Sequence, residues 1–200
     1  MQIVGRRSSL FTRVPLVFAH EVGVPVELVV VKDMTAMDAG AYGGNPALKL
    51  PALVREDGGR VFGAMNIARV VAEGGRVVWP EDLRSDRGRN AHEMLAHAMA
   101  AQIQIIMGTI VGKLDANSVV FAKARRGLEG ALRWLDENVD AVIGEMPPRE
   151  ASWFEHALGC TIEHFAFRGT LDAARYPALV RFAEAWGARD AARATGYRFD

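Results

Sequence analysis

Gly44-Asn45-Pro46-Ala47-Leu48-Lys49-Leu50-Pro51-Ala52-Leu53 is the stretch from which the rest of the sequence is best read. It reads as a loop that runs into a strand, with a proline where the strand begins. Proline has no N–H to give to a sheet ladder, so Pro51 belongs at a strand start, an edge or a bend. The residue before it, Leu50, is pushed towards an extended conformation.

Upstream, Ile3-Val4 opens a short strand that stops at Gly5. A helical face follows, with Phe11, Val14, Val17 and Phe18 together and Leu10 extending it. Pro15 sits awkwardly in that pattern, because an interior proline costs roughly 3 kcal/mol. With Thr12 as the N-cap, Pro15 falls in the first turn and the cost largely disappears; otherwise the first turn is kinked. Gly23 ends the helix, and Val24 to Val31 is an apolar, β-branched second strand. Residues 33 to 44 predict a short, irregular helix.

Downstream, Ala52-Leu53-Val54 and Val61-Phe62 flank the hairpin signal Asp57-Gly58-Gly59. Asn66 to Glu73 predicts a helix closed by Gly74. The order β-α-β-α-β-β-α is thioredoxin-like. Beyond Pro80 the pattern turns helical. Leu95, Met99, Ile103, Ile106, Ile110 and Leu114 mark a long helix, and Phe121, Leu128, Leu132 and Leu135 mark the inward face of a second. Ser152-x-x-Glu155 is a capping box opening a third. Pro177 starts a last helix carrying Leu179, Phe182, Ala183 and Trp186. The expected division is residues 1–76, a linker at 77–82, and an all-helical segment at 83–200.

Composition narrows the function. Of 200 residues, 24 are Lys or Arg and 24 are Asp or Glu, so no net field draws nucleic acid or anionic lipid. The single cysteine, Cys160, excludes an internal disulfide framework and suits a reducing compartment, so a cytoplasmic location is expected. The first residues lack an apolar signal core, and the most apolar run, Ile103 to Val111, is short for a bilayer and broken by Gln104; no membrane partner is expected. The histidines lack metal-ligand spacing: His92-Glu93 and His97 are not His-Glu-x-x-His. No metal is expected.

Asn45-Pro46-x-x-Lys49-Leu50-Pro51-x-Leu53 resembles the Asn-Pro-x-x-Lys-Val-Pro-x-Leu segment of the glutathione transferase family. Ser152-x-x-Glu155 is similar to that family's Ser/Thr-x-x-Asp box. Tyr176-Pro177-Ala178-Leu179 with Ala194-Thr195 is similar to its last helices. The resemblance implies a thioredoxin-like domain followed by an all-helical bundle domain. It implies that the second proline, here Pro51, is cis and that Leu50 offers its backbone to glutathione.

It also implies a chemistry. The family activates the glutathione thiol, and the thiolate is the nucleophile. A hydroxyl at the start of the first helix steadies it, helped by the helix N-terminus. Ser8 and Ser9 both lie there; Ser9 is closer to the helix start. Glutathione, the co-substrate, would be held by Lys49, Leu50, Pro51, Ala64, Met65 and Asn66. A small apolar electrophile would meet Phe11, Met94, His97 and Ala98. A homodimer and a detoxification role are implied as well. One departure stands out: the family reads Glu-Ser where this chain reads Gly63-Ala64, and the lost hydroxyl costs about 1 kcal/mol or more. It favours a second reading, a non-catalytic ligand-binding or protein-interaction module on the same fold.

Overall fold

In the computed structural model, which describes residues 1–200, strand β1 (Gln2–Gly5) organises a four-stranded mixed sheet of order β2-β1-β3-β4. It runs parallel to β2 (Glu27–Val30) and antiparallel to β3 (Ala52–Val54), which pairs antiparallel with β4 (Arg60–Phe62). Helices α1 (Leu10–Glu21) and α2 (Ala64–Val71) pack together in the same unit. Ile3, Leu10, Val14, Val17, Phe18, Leu53 and Ile67 are fully buried at its core. This is the thioredoxin-like order, with one substitution: residues 33–44 hold only a 3₁₀ turn, Ala39–Tyr42. The Tyr42 hydroxyl donates to the Met34 carbonyl at 2.9 Å and closes that loop.

The second strand is shorter than its apolar run. Val24 to Val31 is strand only over Glu27–Val30, at the sheet edge, where alternate side chains face solvent. The first helix also differs at its start. Ser9, not Thr12, is the N-cap, and Pro15 lies inside the helix. The chain tolerates it one turn in, where only the bond to the Phe11 carbonyl is lost.

The chain divides into two units, Met1–Val77 with Trp186–Asp200, and Val78–Ala185. The boundary falls in the two-residue strand β5 (Val77–Val78). The last residues, expected with the helical segment, pack instead with the first unit, where α7 (Asp190–Ala194) lies against α1.

The second unit is built from α3 (Asp86–Ile105), α4 (Val119–Glu145), α5 (Trp153–Arg168) and most of α6 (Pro177–Gly187), with the two-residue strand β6 (Ala151–Ser152) before α5. Phe121, Leu128, Leu132 and Leu135 are all buried along α4. On the preceding helix the expected face runs true only as far as Ile106. A π-helical turn, Ile106–Val111, follows α3. Its i→i+5 winding rotates the later residues away, so Ile110 and Leu114 are 43% and 59% exposed. By length and hydropathy the joined segment Asp86–Val111 could span a membrane, as core helices also can.

The ends of α5 and α6 are held by carboxylates. Ser152 Oγ accepts the Glu155 N–H at 3.1 Å and donates to Glu155 Oε2 at 2.6 Å, while Arg149 grips the same carboxylate at 2.6 and 2.9 Å. Burial pushes the Glu155 carboxyl up, but the Arg149 and Ser152 hydrogen bonds outweigh it and hold it below its ordinary value. Asp136 accepts the Ala178 and Leu179 amides at 2.8 and 3.0 Å. Ser152→Ala removes a cap and a donor to a half-buried carboxylate, so it should cost about 1 to 2 kcal/mol. Urea unfolding measures this; a loss under a few tenths of a kcal/mol would show that water replaces the hydroxyl.

Candidate functional site

The register of the sheet gathers three chain segments at one end. Gly5 ends β1 beside Val30, and Val4 pairs with Ala52 at the start of β3. Ala52 in turn pairs with Phe62, which ends β4. The loop carrying Ser8 and Ser9, the Leu50-Pro51 entry, and the start of α2 therefore leave the sheet at the same edge. The Gly63 amide donates to the Pro51 carbonyl at 3.2 Å and ties two of them directly. Leu50 and Met34 pack on the small core of Val4, Val31 and Ala52 beneath.

The Leu50-Pro51 peptide is cis. The loop before it is braced by Asn45, a buried side chain. Its Nδ2 donates to the Lys49 carbonyl at 2.9 Å and its Oδ1 accepts the Ala47 amide at 3.0 Å. Leu48, between them, sits at φ 53°, in the left-handed region that non-glycine residues rarely adopt. The outcome is a backbone edge that the chain itself leaves open: none of its hydrogen bonds uses the Leu50 amide or carbonyl. An extended peptide-like ligand can add there as a further strand.

The start of α2 is also open. Gly63, the N-cap, carries no side chain, and no side-chain cap reaches the first turn. Its φ of 87° is one that a side-chain-bearing residue adopts only under strain, so glycine suits this turn. The Ala64, Met65 and Asn66 amides thus remain as orphan donors at a helix N-terminus, which favours an anion. The Asn66 side chain turns back, donating to the Phe62 carbonyl at 3.1 Å. Lys49 is exposed.

At the first helix, Ser9 Oγ accepts the Thr12 amide at 3.3 Å. A hydroxyl has one donor and two acceptor sites, so capping leaves its proton free to donate. Ser9 is partly exposed, whereas Ser8 is 4% exposed and engaged by the chain. Gly5 allows the close approach behind this loop: a Cβ there would meet Thr12 Cγ2 at 2.3 Å. The Thr12 hydroxyl accepts the Arg6 amide at 3.4 Å across that gap.

The remaining residues named from sequence are placed as follows. Phe11 is half-buried on α1. On α3, Met94 is half-buried, Ala98 is fully buried, and His97 is exposed beside Glu93 at 3.2 Å. Cys160 is buried in α5. No group of three or more His, Cys, Asp or Glu is placed to hold a metal ion. Sequence reasoning gave Asn45 and Leu48 no role; the Asn-Pro pair after two glycines was the signal for a braced turn.

Solved structures share this fold along the whole chain. A glutathione transferase family member from Pseudomonas fluorescens Pf-5 with bound glutathione superposes with a TM-score of 0.80 at 18% identity, covering 98% of each chain. A glutathione S-transferase from Methylobacillus flagellatus KT with glutathione bound gives 0.77 at 21% identity, over 98% of this chain and 99% of that one. One from Methylobacterium radiotolerans, in complex with glutathione sulfonate, gives 0.74 at 20% identity, over 100% and 96%. No protein-family profile and no curated protein matches the sequence. The fold is that of the glutathione transferases: a thioredoxin-like unit followed by helices.

Proposed function

We propose that the chain is a glutathione transferase that attaches the glutathione thiolate to a small apolar electrophile. The observation that carries this is the cis Leu50-Pro51 turn, with an unclaimed Leu50 backbone beside the uncapped start of α2. Bound glutathione in the structural neighbours supports it.

On this reading the cysteinyl backbone of glutathione pairs with Leu50, and the γ-glutamyl carboxylate lies on the Ala64, Met65 and Asn66 amides. Lys49 faces the glycyl carboxylate. Ser9 donates its hydroxyl proton in a hydrogen bond to the thiolate and lowers the thiol pKa; one unit corresponds to about 1.4 kcal/mol. The sulfur attacks the electrophilic carbon. The S–C bond forms as a leaving group departs with its electron pair, or as an activated double bond accepts the pair and then a proton. Residues 1–76 serve as the glutathione-binding domain, and the helical segment from residue 83 to 185 serves in electrophile binding and dimerisation, the last residues, 186–200, belonging with the first unit. The protein acts as a cytoplasmic homodimer in detoxification, without metal.

A second reading is favoured by one specific feature, the loss of the Ser hydroxyl at Ala64: a non-catalytic ligand-binding or protein-interaction module. Calorimetric titration with glutathione separates the two. Saturable binding in the micromolar to low-millimolar range is expected. No heat and no competition up to several millimolar would sink the glutathione mechanism and leave the second reading.

A further inference from the structure

Of the nine large apolar side chains that the chain leaves exposed, six fall within residues 107–120. They are Met107, Ile110, Val111, Leu114, Val119 and Val120, between 43% and 80% exposed. All lie where α3 ends in its π-turn and α4 begins, at the tip of one helical hairpin inside the second unit. Single exposed apolar residues need no explanation, but a cluster with a polar rim marks a docking surface.

The tip is built to hold these side chains outside the core. The π-turn carries Ile110 and Leu114 off the buried face of the helix. The Gly112 amide donates to the Met107 carbonyl at 2.8 Å and the Leu114 amide to the Gly108 carbonyl at 3.0 Å, so the chain folds back sharply. Phe121 is buried against Gly108, where a Cβ would collide with its ring, while the preceding Val119 and Val120 are exposed. Arg125 Nη1 donates to the Ala116 carbonyl at 2.6 Å and pins the connecting loop to α4.

Charge singles out the occupant. Residues 107–126 carry Lys113, Lys123, Arg125 and Arg126 against one acid, Asp115, in a chain whose net charge is zero. No carboxylate pairs with any of the four, and the Arg125 partner is a neutral carbonyl. Glu129, the next acid along α4, is taken by Arg175 at 3.4 Å. A second copy docking through the same patch would set these cations against their own images. A stable protein interface also uses about 20 to 30 residues a side, more than this tip supplies. A bilayer surface asks for less: a few apolar side chains among the headgroups and cations beside anionic lipid.

We propose that the tip at residues 107–120 seats on an anionic lipid surface. Leu114, Val119 and Val120 enter the headgroup layer, and Lys113, Lys123 and Arg126 face the lipid phosphates. The neutrality of the whole chain, which excludes a global attraction to such lipid, does not extend to this tip. The contact is peripheral and reversible, and it stands independently of the glutathione reading.

Flotation of the full chain with phosphatidylcholine vesicles holding about a third phosphatidylglycerol tests it. The protein should bind them at least about tenfold more tightly than phosphatidylcholine alone, and detach as salt rises from about 0.1 to about 0.5 M. Leu114→Glu with Val119→Glu should weaken binding at least about tenfold, and so should Lys123→Glu with Arg126→Glu. Met37→Glu, at an apolar side chain 87% exposed in the first unit, adds the same charge away from the tip and should lower binding far less. Circular dichroism checks that each variant is folded. Val119→Cys labelled with an environment-sensitive fluorophore reads insertion directly, because Cys160 is buried and does not compete for label. Its emission should shift to the blue on anionic vesicles. No flotation with anionic vesicles, equal flotation with phosphatidylcholine alone, or unaltered binding in either folded double variant would each overturn the proposal. So would an equal loss in Met37→Glu or an unshifted fluorophore. Self-association without lipid that Val119→Glu abolishes would overturn it too, by making the patch an interface between copies.

Discussion

Ser9→Gly is expected to lower kcat/KM for glutathione conjugation by about ten- to a hundredfold while leaving the protein nearly as stable as before. The size follows from the bond removed. A hydrogen bond to a charged group is worth about 1.5 to 3 kcal/mol, and each 1.4 kcal/mol is a factor of ten. The choice of glycine follows from the capping role of Ser9, whose Oγ accepts the Thr12 amide. Alanine at an N-cap costs about 1 kcal/mol, whereas glycine costs only a few tenths. Ser9→Ala would therefore lose activity for two reasons and Ser9→Gly for one. A thiol pKa measured on bound glutathione completes the test, because loss of the donor should raise it by about one unit or more. If activity and thiol pKa both survive in Ser9→Gly, the hydroxyl is a cap only. Ser8→Ala is then the variant to examine.

The same residue shows how far sequence carries. Both serines were visible as candidates, but which one caps α1 depends on how the loop leaves β1. That turns on a contact between Gly5 and Thr12 that no local pattern encodes. Pro15 made Thr12 look the better cap, because propensity counts the cost of an interior proline and not the packing that overrides it. The π-turn after α3 is a similar case. Strict spacing of three and four placed Ile110 and Leu114 on the buried face, and one wide turn moved them out. By contrast, the Lys49-Leu50-Pro51 entry and the Ser152 cap were legible, because each is a short-range device in which neighbouring residues meet each other's needs. The cleft between α1 and residues 194–198 was not legible, because it forms from segments almost the whole chain apart.

Lowering the pH from 7 to 5 should cost the folded protein about 2 kcal/mol through His92 alone. This side chain lies on α3, largely buried, with Nε2 unmatched by any hydrogen-bond partner and its ring edge-on to Phe154 at 6.3 Å. Burial lowers its pKa from 6.5 to about 4, against the opposing pull of the Glu81 charge. The folded state therefore keeps the ring neutral through the range in which the unfolded chain takes up a proton. Below 6.5 the unfolded state binds more protons, so stability falls as pH falls, and the loss levels off near 4, where the folded form also titrates. Glu155 acts lower: its depressed pKa withdraws stability only as pH passes below the ordinary carboxylate value of 4.5. The window between 6.5 and 4.5 thus distinguishes the histidine from that carboxylate. His92→Leu does not titrate and removes a buried polar atom that lacks a partner, so it should be at least as stable at pH 7 and lose about 2 kcal/mol less on acidification. Urea midpoints for both proteins at pH 7 and pH 5 decide it. A wild-type loss no larger than that of His92→Leu would mean that the ring opens to water and charges within the folded state.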